Sequence, residues 1–164
     1  MKRLWTGLAI GAVAVGMLVS PVSAAAGVLK IWPDQFKSGT RPLNSTSTAT
    51  VYQDPTLVGL YDLDPDMLQC WAPVNLRVGT TIKSVVYYED GISSGLTVCE
   101  LLSKPFVKDA TLLSRADSSS RSPKTVTLVP TDPATPIVIK QDVRYFVRIR
   151  MSSGTEVRGV KINY

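Results

Sequence analysis

Apolar and polar residues alternate with a period of two along most of this chain. The clearest run lies near its end, where Val143, Tyr145, Val147 and Ile149 interleave with Arg144, Phe146, Arg148 and Arg150. That spacing puts one set on each face of an extended strand. Similar β-branched and aromatic runs predict strands at Val28–Trp32, Thr48–Tyr52, Leu68–Val74, Thr81–Glu89, Leu96–Leu102, Lys124–Val129, Ile137–Lys140, Val143–Met151 and Glu156–Tyr164. Turn formers separate them: Asp54-Pro55, Asp64-Pro65, Asp90-Gly91, Asp132-Pro133 and Ser153-Gly154. No segment past the N-terminal region sustains a 3.6-residue apolar period. The expected fold is therefore all-β, a two-sheet antiparallel β-sandwich of jelly-roll type with about eight or nine strands. Ser114–Pro123, Ser-rich with two arginines, reads as a mobile surface loop.

The last two strands predict a hairpin turning at Ser153-Gly154. It would set Val147 opposite Val160, Tyr145 opposite Ile162 and Val143 opposite Tyr164, apolar against apolar. Nearer the turn the match weakens, because Ile149 would face Arg158.

The N-terminus follows a different pattern. Lys2 and Arg3 precede an apolar run from Leu8 to Val19, then Ser20-Pro21 and small residues from Val22 to Ala26. This is the order of a cleavable secretion signal. Val22 and Ala24 favour cleavage after Ala24, and Ala24 and Ala26 allow it two residues later. The run is short of the roughly 20 residues that span a bilayer, so a retained anchor is the weaker reading. No cysteine stands there to carry a lipid. Residues 1–24 are thus expected to be a signal peptide and 25–164 a single β-sandwich domain, secreted, periplasmic or on the cell surface.

Export changes the meaning of composition. Without Lys2 and Arg3 the 18 basic residues become 16 against 13 acidic ones, a net charge of +3. That is too mild to suggest nucleic acid. In an oxidising compartment Cys70 and Cys99 are expected to pair, closing a loop of roughly 30 residues that stabilises by about 3 to 4 kcal/mol. Two separate buried thiols are the other reading.

The chain contains no histidine. Ser-His-Asp and Cys-His nucleophile systems are thereby excluded, as are His-ligated zinc sites. Gly91-Ile92-Ser93-Ser94-Gly95 matches the G-x-S-x-G elbow, but it links two strands rather than a strand and a helix. Asp62, Asp64 and Asp66 alternate like the first ligands of a calcium loop; Met67 and Pro73 then stand where an EF-hand needs Gly and Glu. Solvated turn aspartates are the preferred reading, with a looser calcium site left open and no other cofactor indicated. Glu89, Asp90, Glu100 and Glu156 are nominal acids for a glycosidase pair, although nothing in their spacing selects two.

Arg144, Arg148, Arg150 and Lys161, with Phe146 among them, would share the outer face of the predicted hairpin. That face could hold an anionic sugar polymer or lipid head groups, or be a solvated sheet face or an edge guarded by charge. Trp32 and Trp71 sit in apolar strand contexts and are expected in the core rather than as stacking platforms. Asn44-Ser45-Thr46 matches a glycosylation sequon that matters only in a eukaryotic host.

The segment Cys70-Trp71-Ala72-Pro73-Val74-Asn75-Leu76, then Gly79, Thr81, Ile82, Tyr87-Tyr88, Asp90 and Leu96-Thr97-Val98, resembles an uncharacterised group of exported bacterial β-sandwich proteins. These pair an APV-x-L-P-x-G-A segment with a tyrosine-rich strand ending in Asp-Asn. Ile31–Phe36 resembles their opening strand, and Gly159-Val160-Lys161-Ile162-Asn163-Tyr164 their ending. Arg77 departs from the group's proline and Gly91 from its asparagine. The resemblance implies export and a sandwich, and supplies no catalytic residue. The preferred function is a noncatalytic secreted or cell-surface module that binds a polysaccharide or assembles with other subunits; the alternative is a secreted carbohydrate-active enzyme using a carboxylate pair.

Secreted material is expected to begin at Ala25, or at Gly27 if the second site is used. Intact-mass measurement checks this, and recovery from membranes of the chain starting at Met1 would overturn it.

Overall fold

Strands with one apolar face need a second apolar layer, and the computed structural model supplies two antiparallel sheets that provide it for each other. It describes residues 26–38, 60–61, 68–90, 95–119, 122–152 and 155–164. In chain order the strands are β1 (Val28–Ile31), β2 (Lys37–Ser38), β3 (Leu60–Tyr61), β4 (Leu68–Pro73), β5 (Thr81–Ile82), β6 (Ser84–Glu89) and β7 (Thr97–Pro105). After these come β8 (Thr111–Ser118), β9 (Lys124–Thr127), β10 (Val129–Pro130), β11 (Ile137–Val138), β12 (Val143–Met151) and β13 (Glu156–Asn163). The first sheet has the order β1-β13-β6-β9, with β3 also on β13. The second runs β10-β8-β7-β12-β4-β2, and β5 and β11 form a small two-stranded piece. Predicted strand 48–52, the Asp62, Asp64 and Asp66 triplet, Ser93 and the Asn44 sequon lie outside the described residues. No helix among the described residues is long and apolar enough to cross a membrane.

The core lies between the two sheets. Tyr145, Val147, Ile149 and Met151 of β12 point into it, with Cys70 and Ala72 of β4 and Cys99 and Leu101 of β7 on either side. Val85 and Tyr87 of β6 and Val157, Val160 and Ile162 of β13 close it from the first sheet. Asp142 takes a positive φ of 58° in the turn before β12, a conformation aspartate tolerates better than most residues. From there Tyr145 donates its hydroxyl proton to the Val138 carbonyl at 3.0 Å and accepts from the Lys140 amide at 3.1 Å, tying the β11–β12 connection to the core.

The predicted terminal hairpin is corrected. β12 and β13 do not pair: β12 is flanked by β7 and β4, and β13 by β1 and β6. Val147, Tyr145, Val160 and Ile162 are all buried as the alternation requires, but from opposing sheets. Alternation fixes which face is buried and leaves the neighbouring strand open, so a sheet crossing satisfies it as well as a tight turn does.

A second correction concerns Ser114–Pro123. Its first half belongs to β8, with Ser114 and Ser118 buried and Arg115 and Asp117 facing out. Small inward residues let β8 pack closely without an apolar signature. Ser118 donates its hydroxyl to Glu89, joining the two sheets at this end. The buried Tyr87 hydroxyl lies against Ser118 with no well-formed hydrogen bond, and burial followed by the nearby Glu89 pushes its pKa up.

The expected Cys70–Cys99 bridge is also corrected. Both residues pair with Ile149, Cys70 from β4 and Cys99 from β7, so a whole strand stands between them. Two interstrand spacings come to about 10 Å, beyond the roughly 7 Å that a disulfide bridges without backbone movement. Both are buried thiols with no bridge between them. Burial, and then the adjacent Glu100 carboxylate, push the Cys99 pKa far above its usual value, so the reactive thiolate is not formed. Cys99 of the native protein should therefore resist iodoacetamide at pH 9, and react without added reductant once unfolded in urea. Peptide mapping by mass spectrometry reads both outcomes.

Candidate functional site

The outer face of the second sheet carries the arginines singled out from sequence. Register aligns Arg115 of β8, Glu100 of β7, Arg148 of β12, Trp71 of β4 and Lys37 of β2 in one row across it. Glu100 is 2% exposed although it points away from the core, because long side chains cover it. Arg148 Nε donates to it at 2.5 Å and Arg150 Nη2 at 3.2 Å, and Arg115 stands at 3.7 Å. Arg115 also donates two hydrogen bonds to Asp117, at 2.8 and 2.9 Å, which hold that carboxyl below the usual carboxylate range. Arg148 and Arg150 are thus committed to a carboxylate within their own sheet. This is the arrangement expected of a structural charge cluster rather than a receptive anion site.

Trp71 is bound into the same cluster. The Arg148 guanidinium lies 5.1 Å from its ring centroid, and Phe146 packs edge-on at 5.1 Å. Its expected place in the core is corrected: it lies on the outer face, half-buried by the side chains around it. Arg144 is exposed and pairs across strands with Lys104, with no ion pair among the described residues.

Lys161 is separated from these arginines altogether, since β13 belongs to the other sheet. Its surroundings hold an open feature of their own, smaller than the hollow of about 940 Å³ that Trp71, Phe146 and Arg144 help to line on the second sheet. Tyr88 of β6 pairs with Gly159 of β13, and Ile31 of β1 pairs with Val160. Trp32, next after Ile31, is therefore level with Gly159 on the opposite side from Tyr88. Both rings stand on the outer face, Trp32 52% exposed and Tyr88 40%. Trp32 too is corrected from core to surface, because it lies one residue past the end of β1, where the sheet no longer covers it.

Between the two rings there is no side chain. Gly159 has φ +143° at a β-bulge, and a Cβ there would meet the Ile31 carbonyl oxygen at 3.0 Å, so any other residue would be strained at this position. The result is an open trough of about 300 Å³, floored by Gly159 and Val160 and walled by Trp32 and Tyr88. Lys30, Lys161 and Arg158 stand around it, the Lys30 ammonium 5.8 Å from the Trp32 ring centroid. Sequence reasoning placed Lys161 in the wrong company and missed Tyr88 and Gly159. A glycine inside a strand of alternating apolar and polar residues was the available signal.

The four nominal acids do not face one another across a cleft. Glu89 and Glu100 are buried in different sheets, and Glu89 is bonded to Ser118. Asp90 and Glu156 share Arg158 as partner, Glu156 at 3.3 Å. Among the described residues no group of three or more metal-ligating side chains converges.

No family model matches the chain, and no curated protein matches it closely. Solved structures do resemble it. Two carbohydrate-binding modules are among these neighbours. The C-terminal CBM6 of LamC, a marine laminarinase from Zobellia galactanivorans, is 12% identical over 84% of this chain and 100% of its own, with a TM-score of 0.45. TmCBM61, solved in complex with β-1,4-galactotriose, is 9% identical over 85% and 88%, with a TM-score of 0.42. A Bacillus thuringiensis Cry1Da tryptic core variant is 12% identical over 63% of this chain, which spans 18% of that protein, with a TM-score of 0.38. With TM-scores below 0.5, these likenesses carry no inference about a ligand.

Replacing Glu100 with Gln leaves Arg148 and Arg150 crowded without their counter-charge. A loss of about 2 to 3 kcal/mol is expected, at or below the lower end for fully buried pairs because both arginines are a quarter exposed. Arg144→Ala should change stability by no more than about 0.5 kcal/mol. Urea midpoints of the two variants check the contrast.

Proposed function

We propose that this is an exported, noncatalytic polysaccharide-binding module whose ligand lies in the trough between Trp32 and Tyr88. One observation carries the reading: two exposed aromatic rings flank a glycine floor on a flat outer sheet face. The rings are two strands apart, about 10 Å from backbone to backbone. Their flat faces suit the apolar C–H faces of pyranose rings, and the lysines and tyrosine hydroxyl suit the hydroxyl edges. An open trough, rather than an enclosed pocket, admits a polymer that continues past the site at both ends.

Exposed aromatics are costly to keep wet unless something covers them, and a monomer scatters such residues singly more often than in facing pairs. Each of the four acids nominated for a glycosidase pair has a hydrogen bond or ion pair within the sheets, although the second carboxylate oxygen of Glu89 has none. Export through residues 1–24 and the resemblance to exported bacterial sandwich proteins accord with a role outside the cytoplasm.

Affinity electrophoresis in gels containing soluble polysaccharides tests the reading. Trp32→Ala should weaken retardation roughly tenfold or more, the consequence of losing about 1.5 to 3 kcal/mol of covered aromatic surface. Tyr88→Ala should act in the same direction, and Trp71→Ala should leave binding unchanged. Retardation that is insensitive to both Trp32 and Tyr88 would overturn the trough as the site.

A further inference from the structure

Charge in this chain is answered by charge almost everywhere that it is concentrated. Glu100 answers Arg148 and Arg150, Asp117 answers Arg115, and Asp90 with Glu156 answers Arg158. Among the described residues two cross-strand pairs of like charge depart from this: Lys104 with Arg144 on the second sheet, and a pair beside the trough. Lys30 of β1 and Lys161 of β13 are direct cross-strand partners on the outer face, and neither has an ion pair among the described residues. Like charges set opposite each other on a sheet destabilise it. The repulsion is carried next to two exposed rings, where no structural carboxylate relieves it.

We infer that the trough takes an acidic polysaccharide, with Lys30 and Lys161 receiving its carboxylate or sulfate groups while Trp32 and Tyr88 hold the sugar rings. This rests on the trough being the site, and names the class of its ligand. Several features of the geometry agree. The Lys30 ammonium and the Trp32 ring are 5.8 Å apart, so one sugar unit can meet a ring and a cation together. The facing lysines direct both charges at one stretch of polymer. Ammonium groups on flexible stems accept anions of varied shape, whereas the guanidinium forks of Arg148 and Arg150 are already fixed on Glu100. Arg158 lines the trough with its charge met by Asp90 and Glu156, so it adds surface and little net field.

The experiment compares polymers that share a backbone and differ in charge: polygalacturonate against its fully methyl-esterified form for carboxylates, and dextran sulfate against dextran for sulfates. At an ionic strength of roughly 0.01 M, where charges reach about 30 Å, the acidic member of at least one pair should be held more tightly than its neutral counterpart. The pair showing the difference identifies the anionic group. The preference should vanish near 1 M salt, where screening leaves about 3 Å. The double variant Lys30→Gln with Lys161→Gln should bind the acidic polymer roughly tenfold more weakly, each exposed contact contributing a few-fold, and should bind neutral polymer as before. It should also melt no lower than the parent chain, because a repulsion is removed; a lower melting temperature would overturn the like-charge premise. Equal binding of charged and neutral members, or an unchanged double variant, overturns the acidic class and leaves the trough standing. Loss of the preference in the lysine variant, together with indifference to Trp32→Ala and Tyr88→Ala, overturns the trough instead. Retention of none of the four polymers overturns the acidic class.

Discussion

An extended strand shows its side chains to two sides in strict turn, and nearly every feature of this domain depends on that alternation. In β12 it sends Tyr145, Val147, Ile149 and Met151 into the core and Arg144, Phe146, Arg148 and Arg150 outward. In β13 it sends Val160 and Ile162 inward and Lys161 outward, on the opposite side of the molecule. A bulge at Gly159 interrupts the rule in β13, and the trough opens beside it. Burying the inner rows is the largest stabilising contribution available to a chain of this size, and it fixes the outer rows without selecting them for stability.

The two outer faces have used that freedom differently. On the second sheet a nearly buried carboxylate gathers arginines and an indole into a self-contained cluster, with hydrogen bonds that fix side-chain directions. On the first sheet two lysines face one another without counter-charge, and two rings stand open. A cluster whose charges are satisfied internally offers little to a passing anion, since binding would first have to break bonds already made. The unsatisfied pair carries no such obstacle.

Much of the fold was legible in the residues. Val143–Met151 was delimited as the structure has it, and the strands starting at Val28, Leu68, Lys124 and Glu156 were placed to within a residue or two at their ends. β8 was missed because its inward residues are Ser114, Ala116 and Ser118, which fill space without an apolar pattern. The sheet crossing after β12 was missed because two apolar rows match equally well side by side or face to face. The trough was not legible as a unit. Trp32, Tyr88 and Gly159 come from three distant stretches of sequence, and only the strand order β1-β13-β6 brings them level. The arginine patch was read correctly as outward-facing. The neutralisation of Arg148 and Arg150 depends on Glu100, 48 and 50 residues earlier in the chain, whose burial no periodicity could announce.

Strand β13 occupies the middle of the first sheet, between β1 and β6, and Val28 of the earliest described strand pairs with Asn163 of the last. β6 can pair with β9 beforehand, but β1 is joined to the rest of the sheet only through β13. Such distant pairing makes folding slow, because the entropy of closing a long loop is lost before the contacts that offset it form. The first sheet is therefore completed only when the last described strand takes its place between two strands that precede it in the chain.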